Sequence, residues 1–385
     1  MSPDSSDNYP WRRIVVKIGT QALTSDAGVI EPAHLAAYVD QMAALRRADV
    51  EVVCVSSGAV AAGLGDLGLS RRPNDLPGLQ AAAAAGQARL VEQYRTHFAR
   101  HGLHVAQLLL THADLRSRVR HLNARYTFER LLRAGVIPIV NENDTVAVEE
   151  IRVGDNDTLS ALVALLVHAD TLVMLTNTDG LLDADGNRLP RIDAITDDVR
   201  RLVSSSRSTL GTGGMMTKID AADMMMSVRR QAVIARARES DVLTRLHRGD
   251  DLGTRFTPAD DGSRRLTGRK RWIAFFDHPQ GDLHLDNGAV RAVVSEGRSL
   301  LAVGLRAVTG SFDPGAPVRL LDECGNEVAR GLTNYDATSL MRIAGVSSDR
   351  IASILGRQIY DEVIHRDNLA VLNTPPDTDS RDDPS

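Results

Sequence analysis

The stretch from Ile139 to Ser160, IVNENDTVAVEEIRVGDNDTLS, decides how this chain is read. It begins as the end of an apolar strand, Val136 to Val140, and spills into a polar loop carrying Asn141, Glu142, Asn143 and Asp144. It then enters a helix, Thr158 to Val167, through Gly154, Asp155, Asn156 and Asp157. So many short acidic and amide side chains beside a buried strand are costly to bury unpaired, so they must face a cleft or satisfy one another. The stretch therefore reads as a binding site at the end of a strand.

Outward from it, the same alternation repeats. Ile14 to Thr20 is a short apolar run broken by Lys17, the pattern of a strand buried on both faces. An ammonium there is expensive unless it reaches a partner, so Lys17 is expected near the strand end, aimed at something anionic. Pro32 suits the first turn of a helix whose apolar face carries Leu35, Val39, Met42 and Leu45. The strand Glu51 to Val55 runs into Ser56, Ser57, Gly58 and Ala59, a turn where backbone N–H groups converge as they do for anions. Next come an alanine-rich helix (Gln80 to Ala99), a strand (Val105 to Leu110), a helix (Tyr126 to Arg133) and, beyond the central stretch, a strand (Leu172 to Leu175). Helices alternating with apolar strands predict an α/β domain with a mostly parallel sheet, whose sites gather beyond the carboxyl ends of the strands.

Two glycine patterns need separate treatment. Gly63, Gly65 and Gly68 match G-x-G-x-x-G but follow a helical stretch, where the dinucleotide fingerprint should follow a strand. The run from Gly211 through Thr212, Gly213, Gly214, Met215, Met216, Thr217 and Lys218 reads as an anion-facing loop ahead of a helix from Ile219 to Val228. Its glycines tolerate the positive φ that turns successive N–H groups toward one anion. It is not a Walker A loop, since the glycine–lysine pair is missing.

Composition narrows the class. With 385 residues, 43% hydrophobic and 25% charged, the chain has the make-up of a globular protein of two or three domains. No apolar run approaches the ~20 residues that span a bilayer, and residues 1–10 lack a signal-peptide layout, so a cytoplasmic location without membrane partners is expected. Cys54 and Cys324 offer neither a disulfide framework nor a metal cluster. The net charge of -5 argues against a protein dominated by nucleic-acid binding.

Thr257 to Lys270 is polar and basic and reads as a linker. Beyond it, Trp272 to Phe276, Leu283 to Leu285, Val318 to Leu321 and Glu327 to Arg330 are short strands around a helix at Ala289 to Ser295, a small β-rich second domain. The expected organisation is a loose tail over 1–10, an α/β domain over 11–257, a linker over 258–268, the β-rich domain over 269–368 and a disordered tail over 369–385.

Two lysines thus arrive from opposite ends of the first domain, each beside a glycine turn, with an acidic cluster between them in sequence. Phosphoryl transfer asks for that set, because the protein must position phosphates and neutralise spreading negative charge. No nucleophile has an attendant base, and the histidines are scattered without ligand spacing. That suits a carboxylate acceptor, which at a pKa of about 4.3 is already ionised at neutral pH and needs no base.

The ordered motifs, Val16 to Thr20, Ser56 to Ala59, Asn141 to Asp144, Gly154 to Asp157 and Gly211 to Lys218, resemble those of the glutamate 5-kinase family within the amino acid kinase superfamily. The region from Arg269 to His365 is similar to a PUA domain. The resemblance implies an amino acid kinase-type sandwich with a PUA-like C-terminal domain. It also implies phosphorylation of the γ-carboxylate of L-glutamate, the first step of proline biosynthesis, with ATP and Mg2+ as cofactors. By motif, Lys17 and Lys218 would neutralise the transferring phosphoryl group with Asp157 aligning them, and no residue is assigned as a direct metal ligand. Ser57, Asp144 and Asn156 would hold glutamate, while Lys17, Thr176, Asn177 and Thr212 to Lys218 would line the nucleotide. The resemblance further implies proline as feedback inhibitor, a dimer or tetramer, and the next enzyme of proline synthesis as a partner. Two departures stand out. The family often has Thr-Asp where this chain has Thr176-Asn177, and Ser227 to Ser240 lacks the family's glycine-flanked strand. The alternatives are a sibling kinase acting on aspartate or N-acetylglutamate, and an RNA-binding role for the PUA-like domain.

Overall fold

The computed structural model describes residues 11–25, 28–116, 118–146, 156–205, 212–258, 279–356 and 360–372. Contacts divide the chain into two units, Met1–Gly262 and Ser263–Ser385. The segments expected as the 1–10 tail, most of the 258–268 linker and the strand Trp272 to Phe276 lie outside the described residues.

The first unit opens with β1 (Arg13–Ile18), α1 (Thr20–Leu23), α2 (Pro32–Arg47), β2 (Glu51–Ser56), α3 (Ala59–Gly63) and α4 (Leu76–Ala99). It continues through β3 (Val105–Leu110), α5 (His112–Arg116), α6 (Arg118–Arg133), β4 (Ile137–Glu142), α7 (Asn156–Leu166) and β5 (Thr171–Thr176). It closes with β6 (Arg191–Ile192), α8 (Asp197–Ser205), α9 (Thr212–Ser227), β7 (Gln231–Arg236), α10 (Val242–Arg248) and β8 (Thr254–Phe256). The eight strands form one sheet in the order β3-β4-β2-β1-β5-β7-β8-β6, parallel throughout except between β7 and β8. This is the mostly parallel α/β sheet that the alternation predicts. Five of the six residues of β1 are buried, as are five of the six in β2 and all six in β4. Such strands survive only with helices on both faces, because neither face can meet water.

The strand order reverses at β1, which lies between β2 and β5. At such a switch point the flanking connections leave in opposite directions and open a crevice beyond the carboxyl ends. Helix α4 is pressed against α3 at backbone distance. A Cβ added at Gly86 would lie 1.9 Å from the carbonyl oxygen of Ala59, and one at Gly63 would lie 2.0 Å from that of Ala82. Only glycine permits this approach, and it clamps the turn after β2 onto α4.

Several helix starts differ from the sequence reading. Helix α4 begins at Leu76 rather than Gln80, because Asp75 caps it by accepting from Gly78 N at 2.7 Å. Helix α9 begins at Thr212, not Ile219, so Gly213 and Gly214 lie in the first turn of a helix. Gly214 is absent from the positive-φ residues, which corrects the expected loop of left-handed glycines.

The second unit carries β9 (Gly281–Leu285), α11 (Asn287–Val294), β10 (Leu305–Gly310), β11 (Pro317–Leu321), β12 (Glu327–Leu332), α12 (Ala337–Ile343), α13 (Ile351–Leu355) and β13 (Leu369–Val371). Its five-stranded sheet runs β10-β9-β11-β12-β13 over its own core of Leu283, Leu320, Val328, Leu340 and Ile364. Leu369 to Val371, expected to belong to a disordered tail, instead pair antiparallel with β12 as the sheet edge. Leu369 and Ala370 are buried there, which is what an apolar Leu-Ala-Val run gains by docking.

Candidate active site

Lys17 is the penultimate residue of the central strand β1, and Asp157 is the second residue of α7. A carboxylate in a first helical turn is favoured by the unpaired N–H groups and the dipole there. Lys17 Nζ lies 2.8 Å from Asp157 Oδ1, and Lys218 Nζ, on α9, donates to Asp157 Oδ2 at 2.9 Å. One carboxylate therefore holds two ammonium groups that come from positions 201 apart in the chain. Thr217 Oγ1 also donates to Oδ2, at 2.8 Å, and Lys218 Nζ donates to the carbonyl of Gly214 at 2.8 Å. Exposure is 6% for Lys17, 8% for Lys218 and 2% for Asp157, so the three charges sit largely out of water.

The electrostatics follow from that burial. Desolvation lowers the pKa of Lys17, and the facing Asp157 only partly restores it. Burial alone would raise Asp157, but the two lysines beside it outweigh this and hold it below the usual carboxylate range. Two cations around one anion leave a net positive pocket. An incoming polyanion satisfies it, whereas a neutral ligand does not.

A second constellation lies on the β2–β4 side of the switch point. Asn156 Nδ2 donates to Ser57 Oγ at 2.8 Å and to Asn141 Oδ1 at 3.0 Å. Asn141 Nδ2 donates in turn to Gln87 Oε1 at 2.8 Å. Ser57 follows β2 directly, with Gly58 at φ 106 making the turn that α3 continues. Behind it, the buried Tyr94 hydroxyl meets Ser56 Oγ at 2.9 Å, and Ser56 Oγ donates to the Ser57 carbonyl at 3.0 Å. Asp144, two residues past β4, has its pKa raised to about 6 by burial and by the charge of Glu142, against which Arg72 pulls down. Buried Glu142 lies 3.6 Å from His112 Nδ1.

Of the residues singled out in the sequence, Lys17, Asp157, Thr217 and Lys218 meet around one carboxylate, and Ser57 meets Asn156. Asn156 and Asp157 are adjacent on α7, so the two constellations share one helix start. Gly213, Gly214, Met215 and Met216 lie in the first turn of α9, and Thr212 opens it. Thr176 ends β5, while Asn177 donates to Gln21 Oε1 and lines a cavity of 510 Å³ with Gln21, Arg236 and Arg238. Gly154 and Asp155 lie outside the described residues. The sequence reading did not single out Gln87, the far end of the amide chain. In an alanine-rich helix, one glutamine carries no signal until Asn141 is seen beside it.

A parallel sheet whose switch point joins two lysines through one aspartate defines a kinase-class α/β protein without a P-loop. The chain matches the amino acid kinase family over residues 12–236 and the PUA domain over residues 281–355. It is 48% identical over 367 residues to a glutamate 5-kinase of Moorella thermoacetica, covering 94% of this chain and 96% of that one. To a glutamate 5-kinase of Hahella chejuensis it is 49% identical over 371 residues, covering 94% of each. A carbamate kinase from Giardia lamblia bound to AMP-PNP aligns with 65% of this chain at 15% identity and a TM-score of 0.48, too loose a likeness to add to the sequence matches. The chain belongs to the amino acid kinase family, in its glutamate 5-kinase branch.

Proposed function

We propose that this chain transfers the γ-phosphoryl group of ATP to the side-chain carboxylate of L-glutamate, giving L-glutamyl 5-phosphate, in the first step of proline biosynthesis. The observation that carries the reading is the pair of ammonium groups held on Asp157, beside a polar pocket of the right complement for an amino acid. In this reading Ser57 and Asn156 bind the glutamate backbone, and Asp144 pairs with its ammonium. The substrate carboxylate is ionised at neutral pH and attacks phosphorus directly, with no base required. Lys17 and Lys218 neutralise the charge that spreads over the transferring group and onto the leaving nucleotide, as phosphoryl transfer demands. Asp157 keeps both lysines in register and leaves them net positive.

The nucleotide phosphates would approach the N-terminus of α9, lined by Thr212 to Met216, where the first backbone N–H groups have no partner within the helix. Thr176 and Asn177 would border the nucleotide from β5. Among the described residues no three His, Cys, Asp or Glu side chains lie together as a cage, and Asp157 is already shared by two lysines. Such a donor set fits Mg2+ carried chiefly by the nucleotide's own phosphate oxygens, the usual arrangement for this ion. When bound, the ion would add charge neutralisation to that of the lysines. Proline, an amino acid with the same carboxylate and ammonium, would compete for the glutamate pocket, and a cytoplasmic dimer or tetramer is in keeping with the family resemblance.

The test is ADP release with L-glutamate, L-aspartate and N-acetyl-L-glutamate as separate acceptors. Release that depends on L-glutamate and is weak with the other two is the expected result. No glutamate dependence at saturating ATP and Mg2+ would sink the reading.

A further inference from the structure

Asn156 has spent both amide protons, one on Ser57 Oγ and one on Asn141 Oδ1. Its own Oδ1 is buried and meets no hydrogen-bond partner among the described residues. A buried acceptor left open is costly, and it marks a place where a ligand donor completes the set. Which atom Asn156 presents is decided one step back. Asn141 is 2% exposed, and its amide must point its N–H group at an acceptor. That acceptor is Gln87 Oε1.

We propose that Gln87 sets the hydrogen-bond polarity of the acceptor pocket. By accepting from Asn141, it forces Asn141 to accept from Asn156 and turns Asn156 Oδ1 toward the ammonium of the substrate. Ser57 Oγ, already accepting from Asn156, then has its proton free for the substrate's α-carboxylate. The opposite polarity runs through the same four residues: Gln87 donates to Asn141, Asn141 donates to Asn156, and Asn156 presents N–H groups. That arrangement repels an ammonium. Gln87 is therefore a positioning residue that acts through Asn141 and never touches the substrate. Its placement is rigid because the residue before it, Gly86, lies at backbone distance from α3.

The inference rests on the glutamate reading, and its test separates the two. In the full chain, Gln87→Glu supplies only acceptors and imposes the observed polarity. Gln87→Lys supplies only donors and imposes the reverse, and Gln87→Met supplies neither. KM for L-glutamate should stay within about twofold in Gln87→Glu and rise about tenfold or more in the other two, the penalty of a mismatched buried acceptor. KM for ATP should hardly move. Should the lysine variant fail to fold, the isosteric glutamate and methionine variants carry the comparison alone. A glutamate variant as damaged as the methionine one, or a methionine variant with unchanged KM for glutamate, overturns the polarity role. No glutamate-dependent ADP release from the unsubstituted chain overturns the glutamate reading and this inference with it.

Discussion

Asp157 concentrates the chemistry into one side chain, because it is the shared partner of two buried cations. Asp157→Asn keeps the shape but removes the charge, so Lys17 and Lys218 face each other uncompensated and at least one must move. A fall in kcat of roughly a hundred- to thousandfold is expected, the scale of losing one transition-state donor. Lys218→Met should cost about as much, and the double variant should be far from additive, since the two act as a unit. Steady-state kinetics on the three proteins checks this, and additive losses would show that the contacts are independent. Asp144 supplies a pH dependence. With its pKa raised to about 6, it is ionised and able to pair with an ammonium above that pH. The value of kcat/KM for glutamate should therefore drop as pH falls through about 6, and Glu142→Gln should move that limb to lower pH by removing the neighbouring charge. The stability contribution runs the other way. The folded state holds the Asp144 proton more tightly than the unfolded chain, so between pH 3.8 and about 6 this group favours folding more as pH falls. A pH profile unmoved by Glu142→Gln would detach Asp144 from substrate binding. Lys17 and the cluster from Asn141 to Asp144 were legible in sequence because a charge in an apolar strand or beside one must be explained. Gln87 was not, since its role exists only through a partner 54 positions away.

Elements, more than single contacts, fix where these side chains stand. The Ser57 turn is held from behind by α4, through the Gly63 and Gly86 backbone contact and through Tyr94. Gly86→Ala would place a methyl group 1.9 Å from the Ala59 carbonyl, so α3 must shift. Overpacking of this kind costs about 1–3 kcal/mol, and a lower thermal midpoint should come with a raised KM for glutamate. Loss of stability alone, with KM unchanged, would mean that the turn does not follow α3. The strands were easy to read, because each is a short apolar run with a polar residue at its end. Helix α9 was harder. Two glycines at its start look like a loop, and only the helix beyond them, packed through buried Ile219, Ala221 and Ala222, overrides that local preference. The same holds at the missing family glycine after α9. Arg229 takes φ 57 there, so β7 forms from Gln231 to Arg236 without the glycine that the turn would prefer. Strand β13 escaped because three apolar residues before a polar tail carry no signal of their own; β12 recruits them.

At the scale of the whole chain, the division of labour follows from which residues lie where. Every side chain assigned here to phosphoryl transfer or to the acceptor pocket belongs to the first unit, between Lys17 and Lys218, with its own buried core of Ile14, Val16, Cys54, Tyr94 and Val173. The two-part organisation was legible from the change of composition near residue 258, whereas the purpose of the second part was not, because a small β-rich unit fits many partners. Its surface gives one negative indication. Acidic residues outnumber basic ones between residues 279 and 372, a poor footprint for a polyanion. Some of its arginines are also committed: Arg319 makes a two-pronged pair with Asp282, and Arg330 pairs with Glu327. A chain ending at Gly262 should therefore fold on its own core and release ADP in response to glutamate with a kcat of the same order as the full chain. The complementary fragment, 263–385, should bind single-stranded or duplex RNA no better than a neutral control protein, since acidic residues outnumber basic ones across it. Both fragments can be measured at several salt concentrations. A truncated first unit that folds but has lost glutamate-dependent turnover would place part of the catalytic apparatus in the second. Tight RNA binding with a steep salt slope would instead give that unit an activity of its own.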